Sequence, residues 1–214
     1  MALAVDRYEL GPIGTNGYVV RSDRAATEAV VVDPGGGASE LRLELARMGA
    51  SCVAILVTHT HWDHLGGVAD LAEGTEAPVY APELEREVIE RPNDYYAQVG
   101  VAIRGWTPEH TVAGGETVEA AGITFDVVHV PGHSPGHLAY YADSSLFSGD
   151  VLFAGSVGRT DLPFGDWDTL LESIRLLMER YPPDTVVYSG HGPPTTLGDE
   201  LARNPFLAEL RSGV

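Results

Sequence analysis

The sequence predicts an α/β fold in which two β-sheets pack face to face with helices outside them. Two observations predict it. Short apolar runs bounded by Gly, Pro, Asn and Asp alternate along the chain with longer stretches whose leucines recur at helical spacing. The strand-like runs also fall into two groups, each followed by helices, which is the order that two packed sheets with outer helical layers require.

Each element has its own signal. Residues 5–10 and 17–21 read as strands joined by the turn Gly-Pro-Ile-Gly-Thr-Asn-Gly. Ala29 to Val32 is a third strand that ends in Asp33-Pro-Gly-Gly-Gly. Ser39 to Met48 reads as a helix, with Leu41, Leu45 and Met48 on one face and Gly49 as its stop. Strand 53–57 is followed by a short helix from Leu65 to Glu73, a strand at 78–81 and a helix around 83–90. Segment 91–111, with Pro92-Asn-Asp-Tyr-Tyr and Trp106-Thr-Pro, is the least regular and reads as a surface loop or lid. Ile123 to Val130 is a buried strand, and Leu138–Tyr141 with Ser145–Phe147 forms a hairpin. Trp167 to Arg180 is the clearest helix, capped by Asp166 and closed by Tyr181-Pro-Pro. Val186–Tyr188 is a last strand, and two short helical pieces follow Gly198. No repeat or linker interrupts this order, so residues 1–214 are expected to form one domain with a short helical tail after about residue 197.

Composition narrows the partners. Thirteen basic against 31 acidic residues give a net charge of −18, and every basic residue is arginine. A surface this negative repels phosphate backbones and anionic lipid, which argues against nucleic-acid and membrane partners. No run reaches the roughly 18 apolar residues of a membrane span. The start, Met1-Ala-Leu-Ala-Val-Asp-Arg, lacks the pattern of a secretory signal. A single cysteine, Cys52, fits a buried structural thiol and a reducing cytoplasm. Oligomeric state is left open.

The chemistry is concentrated at residues 58–67, Thr-His-Thr-His-Trp-Asp-His-Leu-Gly-Gly. His59, His61, Asp63 and His64 stand together at the mouth of an apolar strand, where packing does not account for them. A shuffled chain of this composition yields H-x-H-x-D-H on the order of once in a thousand tries or less. Imidazole and carboxylate together suit zinc, iron or manganese. In a strand-like segment His59 and His61 share a face, and the following turn carries Asp63 and His64 toward a neighbouring site.

Three later strands end in the same way. His133, Asp150 and His191 each follow a glycine just past a strand. Glycine there lets the backbone turn sharply beside a crowded centre. His110, His129 and His137 lack part of that context. His129 reads as a core or supporting group within a strand, and His137 as a structural hydrogen-bonding partner.

The succession H-x-H-x-D-H, Gly-His, Gly-Asp and Gly-His closely resembles the metallo-β-lactamase-fold hydrolases, a resemblance that covers roughly residues 8–195. The resemblance implies a four-layer αββα sandwich with two divalent metals, most often zinc but also iron or manganese, at one edge between the sheets. It implies that His59, His61 and His133 hold the first metal, that Asp63, His64 and His191 hold the second, and that Asp150 bridges them. Asp63 and Asp150 would be the catalytic carboxylates. Water held between two such cations loses its proton near neutral pH, so no Ser or Cys nucleophile is needed.

Ser148 to Pro163, with Gly-Arg-Thr-Asp at 158–161, resembles the short bacterial glyoxalase II-like group and the related persulfide dioxygenases. The implied reaction is hydrolysis of a small-molecule thioester, such as an S-acyl conjugate of glutathione or another small thiol. Full-length glyoxalase II enzymes carry a longer basic C-terminal domain, whereas only Arg203 and Arg211 are basic in this tail. Arg159 and Asp161 are expected to pair and support the Asp150 loop, while Trp62, Phe153, Phe164, Tyr95 and Tyr96 are candidates for a pocket lining. Three other readings stay open: a persulfide dioxygenase with one iron on His59, His133 and Asp150, a lactonase or other ester hydrolase, and a non-catalytic metal protein. Seven candidate ligands favour an open catalytic centre over a closed four-ligand structural one.

Overall fold

The structure is a computed structural model that describes residues 2–100 and 102–211. Its strands and helices follow the expected order. The first half runs β1 (Ala4–Leu10), β2 (Thr15–Arg21), β3 (Glu28–Val32), α1 (Ala38–Met48), β4 (Ser51–Leu56), α2 (Trp62–Leu65), α3 (Val68–Thr75), β5 (Val79–Pro82), α4 (Arg86–Glu90), α5 (Pro92–Tyr96) and β6 (His110–Val112). The second runs β7 (Thr117–Ala120), β8 (Ile123–His129), β9 (Leu138–Ala142), β10 (Ser145–Gly149), β11 (Leu152–Phe153), β12 (Ser156–Val157), α6 (Trp167–Arg180), β13 (Val186–Ser189), β14 (Thr195–Thr196), α7 (Leu197–Arg203) and α8 (Ala208–Arg211).

Two six-stranded sheets result, in the orders β1-β2-β3-β4-β5-β6 and β14-β13-β10-β9-β8-β7. In the first, β1 to β3 are antiparallel and β3 to β6 are parallel. The period of two on each strand divides its side chains between layers. Val19 and Val31 face α1 and α3, while Tyr18, Val20, Val30 and Val32 face the other sheet. On β8, Phe125 and Val127 point to the first sheet and Val128 points to α6. Three apolar cores therefore separate four layers, which is the αββα sandwich. Phe125, Tyr140 and Phe147 are fully buried between the sheets, where each large side chain contributes about 1.5–3 kcal/mol over exposure.

Helix α6 starts where Asp166 accepts a hydrogen bond from the Thr169 amide at 2.8 Å, and it buries Leu170, Leu171, Ile174 and Leu177. The helix expected over 65–73 is divided instead into α2 and α3 at Gly66-Gly67. A Cβ at Gly67 would lie 2.6 Å from the Gly35 carbonyl oxygen, so the two backbones approach too closely for a continuous side-chain-bearing helix. Segment 91–111 holds more structure than expected, with α5, a 3₁₀ turn at Ala97–Val99 and β6. Position 101 within it lies outside the described residues.

Candidate metal centre

All seven predicted ligands converge on one edge of the sandwich, on loops that leave β4, β8, β10 and β13. Parallel pairing aligns Gly149 of β10 with Ser189 of β13, and the Gly190 amide bonds to the Gly149 carbonyl at 2.8 Å. That register sets Asp150 beside His191. Donor atoms of His59, His61 and His133 lie within 4.8 Å of one another, and so do those of Asp63, His64 and His191. Asp150 stands between the triads. Its Oδ1 is 3.3 Å from His64 Nε2, and its Oδ2 is 3.6 Å from His133 Nε2 and 3.5 Å from His191 Nε2. Asp63 Oδ2 lies 3.4 Å from both His64 Nε2 and His191 Nε2.

Supporting contacts fix which nitrogen of each ring faces inward. His133 Nδ1 is 2.8 Å from the Arg159 carbonyl, which can only accept, so the proton sits on Nδ1 and Nε2 keeps its lone pair. His64 Nδ1 donates to Asp33 at 2.9 Å. Thr58 Oγ1 gives its proton to Asp33 at 2.6 Å and so accepts from His59 Nδ1 at 3.0 Å. Three imidazoles are thereby aimed with Nε2 into the cage, the arrangement that metal-binding histidines show.

A metal fits this cage on the protein's own terms. Nε2 of His59, His64 and His133 and Oδ1 of Asp150 are buried with no hydrogen-bond partner. Each such orphaned group costs about 1–3 kcal/mol unless something satisfies it. The spacings of 3.3–3.6 Å match the roughly 3.4 Å between donors that share a tetrahedral ion at about 2.1 Å.

Electrostatics divide the cage in two. Burial and the neighbouring imidazoles push His59 well below its usual range and His61 down to about 3, and burial also lowers His133. These three are neutral lone-pair donors. Burial opposes charge on His64, yet Asp150 and Asp33 overcome it and raise that ring well above its ordinary value. Hydrogen bonds to Asp150 and Asp63 raise His191 to about 9. Burial works against the Asp63 carboxylate too, but His191, His64 and a 2.7 Å bond from Thr15 hold it at about 2. The carboxylate side of the cage demands positive charge, supplied by protons or by metal ions.

The remaining candidates divide. His137 is buried, stacks 4.5 Å from His59 and accepts the Asp150 amide at 3.1 Å through Nε2, the structural role expected of it. His129 bonds the Pro135 carbonyl at 2.9 Å, and exposed His110 stacks on Tyr80. Arg159 and Asp161 form a bidentate pair at 2.7 Å. Phe153 lies 6.0 Å from the His191 ring, whereas Trp62 and Tyr96 pack against the outer core and Phe164 is 82% exposed. Cys52 is buried, with burial pushing its thiol up to about 11. Sequence reasoning passed over Asp33, Thr58, Glu85 and Thr15. Only Asp33 carried a signal, as the acid of a glycine-rich strand end.

A four-layer α/β sandwich with a His/Asp cage at one edge defines a metallohydrolase. The sequence model described as Lactamase_B, Metallo-beta-lactamase superfamily, matches residues 10–191, and the chain belongs to that superfamily. Its fold is similar to the crystal structure of BLEG-1 B3 metallo-beta-lactamase, with 43% identity, a TM-score of 0.89 and coverage of 96% of this chain and 100% of that one. The structure of TTHA1623 in a di-iron-bound form is similar at 40% identity and a TM-score of 0.84, covering 94% of this chain and all of that one. In sequence the chain is 34% identical to the hydroxyacylglutathione hydrolase GloC of Haemophilus influenzae, over 84% of this chain and 87% of that protein.

Proposed function

We propose that the protein is a dinuclear metal-dependent thioester hydrolase that cleaves an S-acyl conjugate of glutathione or another small thiol. The observation that carries this reading is the pair of donor triads with Asp150 between them, each with unpaired buried atoms aimed inward. His59, His61 and His133 would hold one ion, Asp63, His64 and His191 the other, and Asp150 would touch both. When bound there, two divalent cations, zinc by preference or iron or manganese, would supply an acidified water and a Lewis acid for the thioester carbonyl. The chain's own residues do the rest. Asp33, Thr58 and the Arg159 carbonyl keep three histidines in the productive tautomer. His137 holds the Asp150 backbone, and Asp150 and Asp63 provide the negative charge that retains cations. Likeness to GloC supports the thioester. We further read residues 1–214 as one domain, since Leu197, Leu207 and Leu210 of the tail complete the core under α6. The lone buried thiol and the acidic surface support a cytoplasmic enzyme of small molecules, free of nucleic acid and membrane. Among the described residues no helix is long and apolar enough to cross a membrane.

The test is metal analysis paired with hydrolysis of S-lactoylglutathione, a β-lactam serving as the comparison substrate. Two metals per chain with thioester turnover supports the reading. Preference for the β-lactam, or one iron per chain with oxygen uptake on glutathione persulfide, overturns it. Asp150→Ala is expected to abolish turnover and lower metal content, while His110→Ala does neither.

A further inference from the structure

We propose that Glu85, which lies outside the cage, is the positioning residue that sets the His59–His61–His133 triad. This inference rests on the metal-centre reading above and adds to it how the first ion's ligands are held in register. Glu85 ends the 3₁₀ turn Glu83–Glu85 after β5 and is only 3% exposed, whereas its acidic neighbours Glu83 and Glu87 face solvent. Its Oε2 accepts the Thr60 amide at 2.8 Å and the Thr60 hydroxyl at 2.7 Å. Its Oε1 accepts the Gly136 amide at 2.8 Å. Thr60 is the residue between His59 and His61, and Gly136 lies between His133 and His137.

One carboxylate therefore ties the two loops that supply the first triad, one from each sheet. Position 136 is shaped to admit it, since a Cβ there would lie 2.7 Å from Glu85 Cγ. Charge-assisted bonds from backbone donors are short and directional, which suits them to fixing a loop. The carboxylate is buried and bonded to the Thr60 and Gly136 amides and the Thr60 hydroxyl, none of them a metal-type donor, so its influence runs through the positions of the three histidines. The second triad, whose Asp63 and His64 share the loop of Thr60, has further anchors of its own. Asn16 Nδ2 donates to the Ser189 and Gly192 carbonyls at 2.9 and 2.8 Å around His191, and Thr15 bonds Asp63. Loosening Glu85 accordingly frees one ion and leaves the other.

Glu85→Gln tests this with little change in shape. A glutamine has one acceptor oxygen, and its NH₂ group must face N–H donors that it cannot accept. Metal-stripped protein is titrated with zinc against a chromophoric chelator, with His61→Ala and His191→Ala marking which equivalent belongs to which triad. Glu85→Gln is expected to weaken the equivalent lost in His61→Ala by about 10- to 100-fold, the usual effect of removing a supporting partner. The other equivalent stays unchanged. Turnover at limiting zinc falls and recovers with excess zinc at constant KM, which a general loss of folding does not produce. Thr60→Ser, which keeps the hydroxyl donor, retains wild-type affinity, and Thr60→Val weakens the same equivalent. Wild-type affinity for both equivalents in folded Glu85→Gln, or weakening of the His191 equivalent, overturns the proposal. Should Glu85→Gln fail to fold by far-UV circular dichroism, Thr60→Val decides in the same two directions. A wild-type protein that takes up no zinc, iron or manganese refutes the metal-centre reading instead.

Discussion

Gly190 gives the sharpest prediction, because adding one methyl there addresses the centre and nothing else. A Cβ at Gly190 would stand 2.1 Å from Asp150 Oδ1 and 2.7 Å from His64 Cε1. Ordinary contact begins near 3.4 Å, so the carboxylate must retreat by about 1.3 Å (3.4 less 2.1) or His64 must turn. The Gly190 backbone is not left-handed, so strain plays no part in the expected effect. A misplacement of about 1 Å in a reacting constellation costs on the order of 100-fold in rate. Gly190→Ala is therefore expected to lower kcat for S-lactoylglutathione about 100-fold and to weaken metal binding, since Asp150 stands between both triads. Gly122→Ala is the control. Its φ of +70° strains an alanine, yet no atom lies within 4 Å of the new Cβ. It should cost about 1 kcal/mol of stability and leave turnover intact. The assay is steady-state hydrolysis together with metal content and thermal melting of both variants. Wild-type kcat and full metal content in Gly190→Ala would refute the steric argument and, with it, the placing of Asp150.

Three further outcomes follow from separate parts of the structure. Asp166→Ala removes the cap on α6 and should lower the melting temperature by about 2–4 °C with no change in turnover; an unchanged melting temperature contradicts the capping role. Buried Cys52, with its thiol pushed from 9.0 to about 11, should carry about 100-fold less thiolate than an ordinary cysteine, so an aromatic disulfide reagent at pH 8 reacts only once denaturant is added. Prompt labelling of the folded protein would contradict that burial. In metal-free protein the hydrogen bonds to Asp150 and Asp63 hold His191 at about 9, above its ordinary 6.5. Its stabilising contribution is complete below pH 6.5 and disappears as pH rises through 9, so calorimetry of chelator-treated protein should show a falling melting temperature across that window. Zinc competes with the same proton, so its affinity should rise over the same interval, and a melting temperature that climbs would contradict the assignment.

The cage residues were legible in the sequence because His59, His61, Asp63 and His64 form one compact motif after a strand, and His133, Asp150 and His191 each follow a glycine at a strand end, local patterns that report both the turn and the chemistry. Helix α6 was legible for a similar reason: its cap, its leucine spacing and its Pro stop are all local. What holds the donors was not. Glu85 lies in Pro-Glu-Leu-Glu-Arg-Glu, which reads as a solvated acidic turn, and only the meeting of two loops from different sheets turns its side chain inward. Asp33 reaches His64 and Thr58 across 31 and 25 residues, so no spacing announces it. The break between α2 and α3 escaped notice because it depends on the close passage of Gly67 against Gly35, a contact between segments that sequence places far apart.

The Arg159 carbonyl that orients His133 belongs to a loop whose side chains owe nothing to the cage. A main-chain oxygen is the same whatever residue bears it, and the Arg159 guanidinium is spent on Asp161 within the loop itself. Glycines secure both ends: a Cβ at Gly158 would fall 1.8 Å from the Asp150 carbonyl oxygen, and one at Gly165 would fall 2.4 Å from that of Thr160. Between those ends, the contact to His133 depends on the course of the main chain and not on which side chain position 159 carries. Surface substitutions along this loop are thus expected to leave the orientation of His133 unchanged so long as the main chain keeps its course.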